Sequence, residues 1–314
     1  MVEGVKRVEL EVRNFRVVRS ARIAIEPGIN ILYGPNAGGK STVIHALLSM
    51  MGIRDNELAG RLSLSGEAEI TVSSNSAYVK FSRGKYSCRS REEGEVVEVD
   101  EVVASLQELK LKTCLQEFWE NVGVRTVGYM CGDTLKVYNV AGSELEVRVE
   151  DGSRRSSIRL SLKIWEQQEW EELTSLPQVF DGVLEDINDV AGVSYLHAGY
   201  ARRGGTWIPV ELLGYGERRA IALMLAAKYS DLIIVEGFEA GLHADLAVYL
   251  LNKLSEKSII VETHMGVLLS NALENRWKVY YVYDGKAKKV TRENILSLDL
   301  IRREIESYTR AGGV

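Results

Sequence analysis

Lys40 and Ser41, preceded by Gly34-Pro35-Asn36-Ala37-Gly38-Gly39 and followed by Thr42, complete the spacing GxxxxGK[ST]. The chemistry that such a stretch performs is phosphate binding. Its glycines permit positive φ and leave no side chain between the backbone amides and phosphate oxygens. Lys40 offers a mobile positive charge to the β- and γ-phosphates, Ser41 offers a hydroxyl to Mg²⁺, and the helix that follows adds the partial positive charge of its N-terminus. Residues Gly34 to Thr42 therefore predict a site for ATP and Mg²⁺.

Three later stretches place polar groups where a nucleotide needs them. Asp231-Leu232-Ile233-Ile234-Val235-Glu236 is an apolar run ending in a carboxylate, the form of a strand that delivers an acid to a magnesium shell at its C-terminal edge. Ser258-Ile259-Ile260-Val261-Glu262-Thr263-His264 reads as a second buried strand, and the helical pattern from Ala244 to Leu254 between the two makes a β-α-β unit. Leu213-Gly214-Tyr215-Gly216-Glu217-Arg218 precedes a helical apolar stretch, Ile221 to Ala227, and glycine amides at a helix start form an anion site. His45 and His197 read as structural.

The elements that must position these groups follow from periodicity. Ile29 to Tyr33, entered through Pro27-Gly28, predicts a buried strand before the glycine-rich loop, and Val43, Ile44, Leu47, Leu48 and Met51 recur at helical spacing after it. Two alternating strands precede it, around Val8, Leu10 and Val12 and around Ala21, Ile23 and Ile25. Beyond Gly52 come short alternating segments predicting an antiparallel sheet, a helix over Glu101 to Val122, and a hairpin from Leu145 to Ile164 about Asp151-Gly152. A helix around Val179 to Val190 leads to two short strands, Ser194 to Tyr200 and Thr206 to Val210, joined by a solvated turn at Arg202-Arg203-Gly204-Gly205. The chain closes on a hairpin about Asp284-Gly285, with helices from Thr291 onward.

Asn14-Phe15-Arg16, the alternating strand, and Glu26-Pro27-Gly28-Ile29-Asn30-Ile31-Leu32-Tyr33 leading into Gly34-Pro35-Asn36 together resemble the opening of the RecF, SMC and OLD group of ABC-type ATPases. The resemblance covers residues 1–60 and 190–290. It implies an α/β P-loop fold, a mixed sheet flanked by helices, with a β-rich antiparallel lobe inserted between the P-loop and the signature motif. The corresponding division is 1–60 and 191–314 for the ATPase core and 61–190 for the inserted lobe. Leu213 to Arg218 resembles the ABC signature, with Gly214 where serine is usual; there Gly214 and Gly216 would close on a γ-phosphate held by the opposite protomer, implying a homodimer that closes on ATP. Glu236-Gly237-Phe238-Glu239-Ala240-Gly241-Leu242-His243 is similar, without a gap, to D-E-P-E-A-G-L-H. In that register Glu236 stands at the magnesium-binding position and Gly237 at the position of the catalytic glutamate, with Glu239 or a partner residue as a substitute base. Shifting by one makes Glu236 the base but puts Val235 at the magnesium position. His264 matches the switch histidine that senses the γ-phosphate, and His243 falls in the loop that faces the dimer partner.

Composition bounds the function classes. A chain of 314 residues, 46% apolar, can bury a substantial core. No apolar run approaches the ~20 residues of a membrane span and the N-terminus does not read as a signal peptide, which predicts a cytoplasmic protein with no membrane partner. Cys88, Cys114 and Cys131 are odd in number and far apart, and read as reduced core thiols. The net charge of −5 argues against indiscriminate coating of nucleic acid but leaves a local basic groove open. Richness in Glu, Arg and Val fits a thermophilic source. There is no sustained heptad between Lys40 and Gly214 and no nuclease-like domain after His264, so neither an SMC arm nor an OLD nuclease is expected. The expected function is an ATP-driven switch acting on DNA or a DNA-processing partner in repair or genome defence. The alternative is a slowly hydrolysing ATP-bound subunit that sequesters a nuclease or toxin. A transporter motor is disfavoured because no glutamine loop lies between the motifs.

Overall fold

The structure is a computed structural model and describes residues 4–53, 59–100, 105–151 and 154–298. β1 (Val8–Phe15) and β2 (Val18–Ile25) form an antiparallel hairpin with Leu10 opposite Ile23. β3 (Ile29–Tyr33) is buried along its whole length and runs into α1 (Lys40–Met50), after which α2 (Ala59–Leu62) is a single turn. β4 (Glu69–Ser74), β5 (Ala77–Ser82), β6 (Lys85–Arg89) and β7 (Val97–Asp100) make an antiparallel meander covered by α3 (Ser105–Asn121). β8 (Thr126–Cys131) and β9 (Thr134–Asn139) form a hairpin, and β10 (Glu146–Asp151) and β11 (Arg154–Arg159) another. β12 (Ser161–Lys163) leads to α4 (Gln167–Thr174), a 3-10 turn at Pro177–Phe180, and α5 (Leu184–Ala191).

The second half holds β13 (Tyr195–His197), β14 (Tyr200–Arg203) and β15 (Thr206–Pro209), then α6 (Tyr215–Tyr229), β16 (Leu232–Glu236), α7 (Ala244–Lys253), β17 (Ser258–Thr263), α8 (Gly266–Glu274), β18 (Lys278–Tyr283) and β19 (Lys286–Lys289). A 14-stranded mixed sheet runs in the order β12-β9-β8-β16-β17-β3-β18-β19-β2-β1-β4-β5-β6-β7. Its centre, β8-β16-β17-β3-β18, is parallel, which explains why these strands read as continuous apolar runs: both faces are covered. Along β3 the alternation is physical. Ile29, Ile31 and Tyr33 enter the core under α4 to α8, while Leu32 enters the core shared with α1, α3 and the β1-β2 hairpin. The C-terminal ends of β3, β16 and β17 therefore open at one edge of the sheet, where ligands of α/β sheets bind.

Four expectations need correction. The region after Ser194 is three strands, because Ala198-Gly199, both at positive φ, turn the chain between β13 and β14. Leu162 leaves the second hairpin for β12, which pairs with β9. Of the helices expected from Thr291 onward, residues 291–298 form only a 3-10 turn at Ile295–Ser297, and residues 299–314 lie outside the described residues. Cys88 and Cys114 form a disulfide, while Cys131 is free. Packing of α3 on the meander brings the two buried thiols together across a sequence separation of 26, a pairing that linear spacing does not reveal; disulfides of this kind occur inside cells of hyperthermophiles. By loop-closure entropy it stabilises the fold by about 3–4 kcal/mol. Reduction, or Cys114→Ser, should lower the melting temperature by roughly 5 °C, and a melt unaffected by reductant would show that the bond is absent in solution.

Candidate nucleotide-binding site

The loop of Gly34 to Gly39 lies between β3 and α1, braced by the β18-β19 hairpin. The amide of Gly285 donates to the carbonyl of Gly38 at 3.3 Å, and a Cβ on Gly34 would stand 2.2 Å from the carbonyl oxygen of Val282. Glycine is thus required by close backbone approach as well as by the phosphate. Gly39 offers α1 no side-chain cap and the first turn carries no acid, so the initial N–H groups and the helix dipole are left for an anion.

Lys40 is only 4% exposed, and its ammonium donates to the carbonyls of Gly34 at 3.0 Å and Pro35 at 2.9 Å. Glu262 Oε1 lies 3.6 Å from the same nitrogen, and Ser41 Oγ donates to Glu262 Oε2 at 2.8 Å. Glu236, at the end of β16, faces other groups: Tyr129 donates to its Oε1 at 2.6 Å, His45 Nε2 lies 2.9 Å from the same oxygen, and the Cys131 thiol is 3.6 Å from Oε2. Arg16, at the tip of the β1-β2 hairpin, reaches His45 Nδ1 at 3.0 Å. A guanidinium only donates, so Nδ1 accepts and the ring proton sits on Nε2, the nitrogen nearer Glu236. The titration shifts follow from this environment. Burial alone would push Glu236 up, but the hydrogen bonds from His45 and Tyr129 outweigh it and hold the carboxyl below its usual range. Burial pushes Glu262 up, aided by the charge of Glu236 and only partly offset by Ser41 and Lys40. Tyr129 is raised by burial and then by Glu236, which keeps it a donor.

Glu239 and His264 form a pair: Glu239 Oε1 accepts from the His264 backbone N–H at 3.1 Å and lies 2.6 Å from Nδ1. Gly237 adopts φ 57°, in the left-handed region, with nothing within 4 Å of where a Cβ would be. Its carbonyl accepts from Arg219 at 3.0 Å, and Arg219, fully buried in α6, also donates to the Gly132 carbonyl at 2.6 Å. The signature helix is thereby tied to the end of β16. At its start the Gly214 amide donates to Glu217 Oε2 at 2.7 Å. Tyr215 stacks on Trp165 at 4.8 Å, and Arg218 lies over that indole at 4.4 Å. A Cβ on Gly216 would stand 2.7 Å from the Gly241 carbonyl oxygen, so the second signature glycine is needed for packing within the chain.

Lys40, Ser41, Glu236, Glu239 and His264 thus gather at one sheet edge, while Gly214 and Gly216 belong to the α6 start beside Gly241. Glu262 and Tyr129 were not singled out by sequence, and His45, read there as structural, instead lies 2.9 Å from Glu236 within the site. An acid inside an apolar strand run was the available signal for Glu262, and for His45 its place one helical turn after Ser41. A buried lysine, an uncapped helix start, a hydroxyl and two carboxylates fit a magnesium-bound triphosphate.

A family model described as an AAA domain matches residues 9–175. A 38-residue stretch, 12% of this chain and 10% of the relative, is 45% identical to the DNA replication and repair protein RecF of Herpetosiphon aurantiacus. Among solved structures, the chain is similar to an SMC head bound to the C-winged helix domain of ScpA (TM-score 0.53, 13% identity, 93% of this chain and 99% of that one). It is also similar to the SMC head domain from Thermotoga maritima (TM-score 0.49, 15% identity, 92% and 98%). At 13% identity the likeness to the ScpA-bound head is one of fold. The chain belongs to the AAA domain family.

Proposed function

We propose that the protein is an ATP-dependent dimerising switch that acts on DNA or on a DNA-processing partner, in repair or genome defence. The observation that carries this reading is the presence of two half-sites on one sheet: Lys40 and Ser41 at the start of α1, and the α6 start at Gly214 fastened to β16 through Arg219. Bound Mg²⁺ would supply charge neutralisation for the triphosphate. Lys40 would turn from the Gly34 and Pro35 carbonyls to the β- and γ-phosphates, and Ser41 would lend its hydroxyl to the metal shell with Glu236 nearby. Glu239 holds the His264 ring in place beside it, and the Gly214 amide would meet a γ-phosphate held by a second copy of the chain. The inserted lobe of residues 61–190 and a cytoplasmic site of action belong to the same reading, as does DNA as a target, supported by the stretch shared with RecF.

A second reading, an ATP-bound subunit that sequesters a nuclease or toxin, is favoured by one observation: Gly237 offers no carboxylate where hydrolysis would need one. Both readings require closure on ATP. Gly216→Asp is a poor test, because its Cβ collides with the Gly241 carbonyl inside the monomer. Gly214 has ordinary backbone angles (φ −56°, ψ 151°) and space for a side chain, and aspartate is a favoured N-cap. Gly214→Asp should fold normally yet set a carboxylate against the incoming phosphate. Sedimentation velocity with and without ATP should show an ATP-dependent dimer in the wild type and none in Gly214→Asp. Identical association of both proteins in both conditions would refute the switch.

A further inference from the structure

We propose that Glu262 is a nucleotide-gated magnesium ligand: its carboxylate holds Ser41 and Lys40 and enters the metal shell when nucleotide arrives. This inference rests on the reading of the P-loop as an ATP site. Its first support is topology. β17 lies between β16 and β3 in the sheet, with Glu262 paired to Leu32 and Thr263 to Tyr33, so Glu262 stands next to the last residues before the phosphate loop. Glu236 sits one strand farther from that loop.

The second support is how the two carboxylates are employed. Glu236 has one oxygen met by Tyr129 and His45 and the other facing Cys131, which commits it to protein groups. Both oxygens of Glu262 face the two side chains that the motif assigns to nucleotide and metal, Oε2 toward Ser41 at 2.8 Å and Oε1 toward Lys40 at 3.6 Å. Its backbone is pinned as well, since the Glu262 carbonyl accepts from the Phe238 amide at 2.9 Å. When Lys40 turns to phosphates and Ser41 to the metal, the carboxylate loses both partners while a triphosphate lies beside it. A buried carboxylate in that position must be paired again, and a hard divalent cation adjoining the Ser41 hydroxyl is the pairing available.

Two opposite effects of one substitution follow. Glu262→Gln keeps the shape and an acceptor for Ser41 but removes the charge. Without metal, ATP affinity should rise about fivefold, the effect of deleting a like charge about 4 Å away in a water-like dielectric. With metal, the gain in ATP affinity on adding Mg²⁺ should shrink about 10- to 100-fold, as expected for a lost supporting ligand. Glu262→Asp should restore part of that gain.

The experiment is calorimetric titration of ATP in Mg²⁺ and in EDTA for the wild type, Glu262→Gln, Glu262→Asp and Glu236→Gln, with thermal melts confirming folding. Opposite shifts in Glu262→Gln, partly reversed in Glu262→Asp, bear the proposal out. A magnesium gain equal to wild type in Glu262→Gln, or a gain lost only in Glu236→Gln, overturns it. Absence of ATP binding by the wild type would instead overturn the P-loop reading on which it rests.

Discussion

The wild-type protein is expected to hydrolyse ATP slowly, and Gly237→Glu to accelerate it. Attack on the γ-phosphorus needs an oriented water and a proton acceptor, and a positioned carboxylate contributes about 10²–10⁴-fold. Gly237 supplies neither. Glu236 is a poor substitute, since Tyr129 and His45 crowd its Oε1, and Glu239 has Oε1 on His264 and Oε2 buried away from solvent. The surroundings of Gly237 leave room for a side chain, but its φ of 57° is a left-handed conformation that costs a non-glycine residue about 1–2 kcal/mol. The gain from Gly237→Glu should therefore fall below the full range, at roughly 10–100-fold in a single-turnover rate. Glu236→Gln should leave the rate low. Fast wild-type turnover that Gly237→Glu does not improve and Glu236→Gln abolishes would place the base at Glu236 and end the slow-switch account.

The parts of this site that depend on local order were legible in the sequence. Gly34 to Thr42 is one uninterrupted stretch, and the apolar runs ending at Glu236 and at Thr263-His264 declared themselves as buried strands because a parallel sheet covers both faces. Glu262 was inside one of those runs, yet its meaning depends on β17 lying between β16 and β3, an order that no single window contains. His45 follows Ser41 at the i, i+4 spacing of one helix face, so its direction was readable; its partners, Arg16 and Glu236, come from elements remote in the chain. The Cys88–Cys114 bond was hidden for the same reason, because it joins the meander to α3 only once they pack. Gly216 was read as an anion-binding residue, and its contact with the Gly241 carbonyl adds a packing demand that a motif cannot express.

Lys40→Ala is expected to remove most of the ATP affinity. The wild-type ammonium is buried at 4% exposure and already held by two carbonyls of the loop it must serve, so it is pre-positioned and loses little freedom on binding. Two charge-assisted contacts with phosphates, each worth about 1.5–3 kcal/mol, correspond to a loss of at least about 10²-fold. The substitution leaves the buried Gly34 carbonyl without its donor and Glu262 without its neighbouring cation, at a cost of about 1–3 kcal/mol, so the melting temperature without nucleotide should fall by a few degrees while the chain still folds. The most direct test of a nucleotide-gated protein is thus calorimetric titration of Mg²⁺ and ATP into the wild type and Lys40→Ala. A saturable heat for the wild type that disappears in a folded Lys40→Ala is the predicted result; equal ATP affinity in the two proteins would contradict the account at its foundation.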